Sequence, residues 1–181
     1  MTFEIKINDK LSLTIPTTEE SQNIYEIIDK DRKHLREWLA WVDKTTSATD
    51  IENNIIERIA KFEKKEAASF YAKYEGKWIA SVGFISINDK DKQGEIGYWL
   101  SSEFEGRGLM TECVRTSIKY GFKELGLHRI VIRCRSLNIK NSAIPKRLGF
   151  TLDGTLREDH KSEDSYDDTL IWSLLDREWK E

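Results

Sequence analysis

Between residues 95 and 126 the chain changes its hydrophobic period once, and it does so across glycine. Glu95-Ile96-Gly97-Tyr98-Trp99-Leu100-Ser101 reads as a strand, and Gly106-Arg107-Gly108 forms a turn. Val114, Ile118, Phe122 and Leu125 then recur on one face of a helix that Gly126 closes. A strand that runs through glycines into an amphipathic helix commits this stretch to an α/β arrangement, with the helix packed on a sheet. The flanking segments agree. Residues 3–7 and 11–15 alternate apolar with polar around Asn8-Asp9-Lys10, and Pro16 stops the second strand. Thr17 and Glu20 have capping-box spacing, and Ile24, Ile27, Ile28, Leu35, Trp38 and Leu39 recur at helical intervals, so two linked helices are expected over 18–42. A further helix is expected from Asp50, with Ile51, Ile55, Ile59 and Phe62 on one face. A hairpin over 70–88 turns at Glu75-Gly76, a strand covers 129–134, a short helix 141–148, and two last strands 150–156 and 169–175. This order predicts one mixed sheet with helices on its faces, α/β (α+β) in class.

Composition enters as a set of exclusions. The chain has 181 residues, 39% hydrophobic and 10% aromatic, enough for one domain over 1–181 whose core needs no disulfide staples. It carries no internal repeat or low-complexity tract. No apolar run reaches the roughly 18–20 residues of a membrane span, and Met1-Thr2-Phe3-Glu4 has neither a basic nor an apolar leader character, so a cytoplasmic location and no membrane partner are expected. Cys113 and Cys134 lack metal-ligand spacing and read as small buried residues; no metal is expected. The net charge of -3 argues against nucleic acid as a partner.

The turn at Gly106-Arg107-Gly108 has the physics of an anion site. Glycines let the backbone approach a phosphate, the first-turn N–H groups of the helix point at it, and Arg107 adds a cation. It is no dinucleotide fingerprint, because the third glycine is missing, and no P-loop, because no Gly-Lys-Ser/Thr follows. Taken alone it is equally a tight turn.

Three elements in order carry more. Glu95–Leu100, then Glu105-Gly106-Arg107-Gly108-Leu109-Met110, then Asn138-Ile139-Lys140-Asn141-Ser142 leading to Leu148-Gly149-Phe150, resemble the signature of the GNAT N-acetyltransferases. Trp38-Leu39-Ala40-Trp41-Val42, Tyr166-Asp167-Asp168 and the stretch from Trp172 to Trp179 extend the resemblance over nearly the whole chain, toward the RimJ/RimL branch, which acetylates the N-termini of ribosomal proteins. Two positions depart from the family loop: Glu105 replaces Gln or Arg, and Met110 replaces Gly or Ala. The resemblance implies a mixed, mostly antiparallel central sheet with helices on both faces and a splayed parallel strand pair holding acetyl-CoA. It places pantetheine along Trp99, Leu100 and Ser101, and pyrophosphate on Gly106, Arg107, Gly108, Leu109, Met110 and Thr111, with Asn138 and Asn141 as further cofactor contacts. Charge agrees: residues 105–147 hold ten Lys/Arg against three Glu. Glu105 must point away from the pyrophosphate or be paired, with Arg107 as one partner.

Acyl transfer to an amine asks for a base and an acid. By resemblance Glu95 is the candidate base, directly or through water; otherwise it is an edge carboxylate. Ser142 is either the acid near the sulfur or the cap of the short helix. Trp38 and Trp41, three apart on one expected helical face, line the acceptor pocket or belong to the core. Residues 158–168 hold six acids and one Lys, a solvated loop that also suits a cationic amine, with Asp168 the member expected to bind substrate. His34, His128 and His160 are scattered and read as satisfied or exposed. Three functions stay open: N-acetylation of a protein α-amine, ribosomal by resemblance; acetylation of a small amine such as a polyamine, amino acid or aminoglycoside; and acyl-CoA binding without catalysis. The last strands leave a homodimer open.

Overall fold

The computed structural model describes residues 3–162 and 165–180. Among the described residues eight strands form one sheet: β1 (Glu4–Lys6), β2 (Leu11–Thr14), β3 (Ala68–Tyr74), β4 (Lys77–Asn88), β5 (Gln93–Leu100), β6 (Arg129–Arg135), β7 (Thr151–Lys161) and β8 (Tyr166–Leu175). Their spatial order is β1-β2-β3-β4-β5-β6-β8-β7. Among the described residues every pairing is antiparallel except β5 with β6, which are joined through the crossover helix α4 (Leu109–Lys123). The parallel register runs from Gln93↔Arg129 to Ile96↔Ile132 and stops there, while both strands continue, so their C-terminal ends part.

Alternation along the strands builds a core on each face. Phe70, Ala72, Ile79 and Ile96 pack with Val114 and Ile118 of α4 and with Leu148 and Phe150 beyond α5 (Ile139–Arg147). On the other face Tyr71, Trp78 and Trp99 meet Ile24 and Ile28 of α1 (Ser21–Lys30), Leu35 of α2 (Arg32–Leu35), and Ile51 and Ile55 of α3 (Ala48–Glu63).

Three local differences from the sequence expectation have physical causes. Helix α3 begins at Ala48, two residues before Asp50, because Asp50 is the third helical residue of a capping box: its Oδ2 accepts the Ser47 N–H at 2.9 Å while Ser47 caps from outside. The Trp38–Val42 stretch does not continue a helix. Leu39 is extended at φ −128°, and Arg32 reaches over to donate to the Val42 and Thr45 carbonyls, at 2.5 and 2.7 Å, holding Ala40–Lys44 as a 3₁₀ turn. Trp38 and Trp41 therefore share no helical face. Finally, the acidic stretch is mostly strand: residues 158–161 extend β7 and 166–168 open β8, with Glu163 and Asp164 outside the described residues.

Helix α4 is seated against β5 by glycine. Phe84 of β4, fully buried, fills the space left by Gly94 of β5 and Gly121 of α4; a Cβ at Gly121 would lie 2.4 Å from Phe84 Cζ and 3.1 Å from Ile130 Cδ1. Gly121→Ala overpacks this contact and is expected to cost about 1–3 kcal/mol, read as a lowered melting temperature, with Phe84→Leu in the same chain returning part of the loss.

Candidate functional site

Where β5 and β6 part, a cleft of about 1410 Å³ opens. Its walls are Ile96–Leu100 of β5, Arg133–Arg135 of β6, the residues from Glu105 to Glu112, and the first turn and a half of α5. Beyond Ile96 the β6-facing edge of β5 has lost its strand partner, so main-chain groups face into the cleft.

At one end lies the glycine turn. Gly106 (φ 74°) and Gly108 (φ 75°, ψ −4°) are left-handed, and among the described residues a Cβ at either would meet nothing within 4 Å, so the backbone itself forms an open cradle. Gly108 caps α4, whose first-turn N–H groups have no intrahelical acceptors and point outward with the positive end of the helix dipole. The loop before it is pinned to α1: Asp31 accepts the Ser102 N–H at 2.7 Å and the Ser102 hydroxyl at 2.6 Å, and Lys30 pairs with Glu103. Arg147 of α5 donates to Thr111 Oγ1 at 2.7 Å, bringing a second cation to the cradle. Arg107 donates to the Glu103 carbonyl and lies over the Phe104 ring, so it is not the partner of Glu105. That carboxylate is shared by Lys140 of α5 and His34 of α2, whose Nε2 lies 3.2 Å from Glu105 Oε1. Among the described residues six Arg and Lys side chains line the cleft against three carboxylates.

In the middle stands Asn141. Its N–H donates to Asn138 Oδ1 at 3.0 Å, and its Oδ1 is buried with no hydrogen-bond partner among the described residues. An acceptor left unsatisfied in the wall of a cleft costs free energy unless a ligand supplies a donor. Cradle, free strand edge and Asn141 together fit a long ligand with an anionic end and an amide-bearing middle. Asn138, by contrast, spends its side-chain oxygen on capping α5.

The far end is bounded by Trp38 and by Arg135, whose guanidinium lies 5.0 Å above the Trp38 ring. Arg135 also donates through Nε to Asp167 at 2.8 Å and through Nη1 to the Glu37 carbonyl at 2.8 Å, tying the α2 wall to β8. Ser162 and Arg135, both donating to Asp167, hold its carboxyl below the usual carboxylate range. Asp159 and His160 reach the cleft because β7 bulges between Leu156 and His160, with Glu158 at φ 55°.

The structure thus gathers Trp38, Trp99, Leu100, Gly106, Arg107, Gly108, Leu109, Met110, Thr111, Asn138 and Asn141 in one cleft. Five expected residues stand outside its lining. Glu95 is half-buried on the Trp99 face of β5, with Oε2 3.7 Å from Arg133 Nε. Ser101 is buried and its N–H is taken by the Ile79 carbonyl. Ser142 donates its hydroxyl to Ile139 O at 3.1 Å. Trp41 packs on Trp99 at 6.3 Å, and Asp168 accepts the Glu158 N–H, bracing the β7 bulge. His34, Arg133, Arg135, Asp159 and His160 line the cleft without having been singled out; isolated histidines and arginines carry no motif, and only the pairing of distant strands brings them together.

Comparison with known proteins agrees with this geometry. Residues 10–151 match the model of the "Acetyltransferase (GNAT) domain". The chain is 29% identical to the Bacillus subtilis (strain 168) protein named "Putative ribosomal N-acetyltransferase YdaF", over 98% of both chains. It is 27% identical to the ribosomal-protein-serine acetyltransferase of Escherichia coli (strain K12), over 97% and 98%. The crystal structure of the microcin C7 self-immunity acetyltransferase MccE in complex with acetyl-CoA and AMP superposes with a TM-score of 0.88 at 27% identity, covering 94% of this chain and 95% of that one. A sheet parted at one parallel pair, a glycine cradle at the head of the crossover helix, and a family match over most of the chain lead to one conclusion: this protein belongs to the GNAT acetyltransferase family.

Proposed function

We propose that the protein transfers acetyl from acetyl-CoA to a primary amine, and that the amine is the α-amino group of a protein N-terminus, ribosomal as in the two full-length relatives. The observation that carries the donor side is the open cradle of Gly106 and Gly108 at the head of α4, continuous with the unpaired edge of β5. Main-chain N–H groups of residues 106–111 hold the pyrophosphate, and Asn141 Oδ1 accepts a pantetheine amide N–H. An acetyl thioester supplies an electrophilic carbonyl and a thiolate leaving group. The amine reaches it from the Trp99 face, where directly opposed strand residues put Glu95, Arg133, Arg135 and His160 on one side of the sheet. Glu95 takes the proton of the amine through water as the C–N bond forms and the C–S bond breaks. Ser142 lies inside α5, which Asn138 caps, and spends its hydroxyl on the Ile139 carbonyl, so the thiolate is protonated by solvent.

A second acceptor reading, a small polyamine, is favoured by the carboxylate of Asp159 in the cleft. Release of free thiol from acetyl-CoA, followed with N-terminal peptides of ribosomal proteins and with spermidine, putrescine and amino acids, separates the two. Turnover with peptides alone supports the α-amine reading; turnover with polyamines alone overturns it, and CoA binding without turnover on any amine overturns both.

The pairing of Glu105 has its own consequence. Its carboxylate occupies Lys140 at the mouth of the cleft, where a phosphate would otherwise be the partner. Glu105→Gln removes a negative charge beside an anionic ligand and frees the lysine, so the Kd for CoA, measured by calorimetry, is expected to fall about three- to tenfold, and by less at high salt.

A further inference from the structure

Helix α5 contains a proline where an N–H is needed. Pro145 lies in the seventh of its nine positions and is buried, and it has no donor to offer the carbonyl four residues back, that of Asn141. That carbonyl is nonetheless satisfied: the Tyr98 hydroxyl, coming from β5 across the parting of the strands, donates to Asn141 O at 3.0 Å. Burial keeps the Tyr98 hydroxyl protonated well beyond its ordinary range, so it acts as a donor. Asn141, a lining residue of the cleft, is therefore held at both main-chain polar groups by side chains, Asn138 on its N–H and Tyr98 on its carbonyl, while its own Oδ1 is buried without a hydrogen-bond partner among the described residues.

We infer that Tyr98 is a positioning residue for acetyl-CoA. By completing the hydrogen bond that Pro145 leaves open, it ties α5 to β5 across the cleft and fixes Asn141 Oδ1 at the height of the pantetheine. This rests on the donor site proposed above and assigns the residue that sets its width. The tie joins the two elements that the loss of strand pairing beyond Ile96 would otherwise leave free to separate. A proline in a short helix and a tyrosine on the facing strand thus form one device, the proline exposing the acceptor and the tyrosine taking it.

The proline provides the test, because replacing it restores a helical donor. CoA affinity is measured by calorimetry on the full chain for Tyr98→Phe, Pro145→Ala and the double variant. Tyr98→Phe is expected to weaken CoA binding about five- to tenfold and to speed amide exchange in α5 by about tenfold. Pro145→Ala is expected to stay within about twofold of wild type, since a carbonyl accepts two donors, and Tyr98→Phe/Pro145→Ala to stay weakened about as far as Tyr98→Phe, because a helical donor satisfies the carbonyl without tying α5 to β5; recovery to wild-type affinity would overturn the tie. A second cycle is independent of the proline: on an Asn141→Ala background, Tyr98→Phe adds less than about twofold. Unchanged affinity in Tyr98→Phe overturns the inference. So does a loss that is fully additive with Asn141→Ala, or a loss of turnover at unchanged CoA affinity, which would make Tyr98 a group acting on the reacting atoms. Wild-type protein that binds no CoA is a different result and removes the donor site itself.

Discussion

Gly108→Glu is expected to weaken CoA binding by at least about 100-fold while leaving the protein folded. Gly108 caps α4 in the left-handed region at φ 75°, and a side chain there would project into open space at the end of the cleft proposed to hold the pyrophosphate. Two costs arise together. An L-residue in this conformation loses about 1–2 kcal/mol relative to glycine. A carboxylate about 4 Å from a phosphate, at an effective dielectric constant near 20, is opposed by about 4 kcal/mol, and a factor of ten needs only about 1.4 kcal/mol. Because no atom lies within 4 Å of the added Cβ, the folded state bears only the first cost, a drop in melting temperature of a few degrees. Gly108→Asn separates the two, since asparagine tolerates the left-handed region and carries no charge; it is expected to retain CoA affinity within about tenfold. Unaltered calorimetric affinity in Gly108→Glu would place the pyrophosphate elsewhere.

The cradle was legible from sequence because its chemistry is local: strand, glycine, glycine and helix follow one another within residues 95–126, and glycine enters the left-handed region of such a turn without the steric cost that other residues bear. The strand order could not be read that way. That β8 lies between β6 and β7 depends on the pairing of Arg129–Arg135 with Thr169–Leu175, contacts separated by about forty residues, and no spacing rule encodes them. The far end of the cleft was hidden for the same reason. Arg135 meets Asp167, Glu37 and Trp38 only in three dimensions, and the acidic stretch that read as a loop becomes strand because β8 pairs with it. Trp41 was misplaced by periodicity, which cannot see that Arg32 would use the carbonyls of Val42 and Thr45 to wind the segment as a 3₁₀ turn. Pro145 was visible throughout, yet its meaning lay on another element, in the hydroxyl of Tyr98.

A distant glycine controls the same cleft, and its replacement has the largest expected effect on the fold. Gly83 of β4 sits at φ +136°, a region closed to L-side chains, and a Cβ there would lie 2.3 Å from the Ala68 carbonyl oxygen and 3.0 Å from Ser69 Cα. Both atoms are backbone of β3, the strand on which Gly83 is paired through Ser69, so no side-chain rotation relieves the overlap. On its other side Gly83 pairs with Gly97 of β5; two residues later β4 bulges at Ile85, whose side chain covers Gly97 so closely that a Cβ there would lie 2.9 Å from Ile85 Cγ2. The bulge and the two glycines let β4 carry β5 along a bent path to the point, just past Ile96, where β5 leaves β6 and the cleft begins. Gly83→Ala must push β3 from β4 or twist β4 against β5. Backbone strain of about 1–3 kcal/mol joins an overpacking cost of similar size, for about 3–5 kcal/mol in all. At roughly 2–4 °C per kcal/mol for a chain of this length, the melting temperature is expected to fall by about 10 °C or more. Gly76→Ala provides the control, with φ +80° but nothing within 4 Å, and should bear only the conformational cost of about 1–2 kcal/mol. Because β4 carries β5, the wall proposed to hold pantetheine, CoA affinity in Gly83→Ala should fall even below its new melting temperature, whereas in Gly76→Ala it should not. A Gly83→Ala protein melting like wild type would mean that β4 does not need this close approach to hold the cleft open.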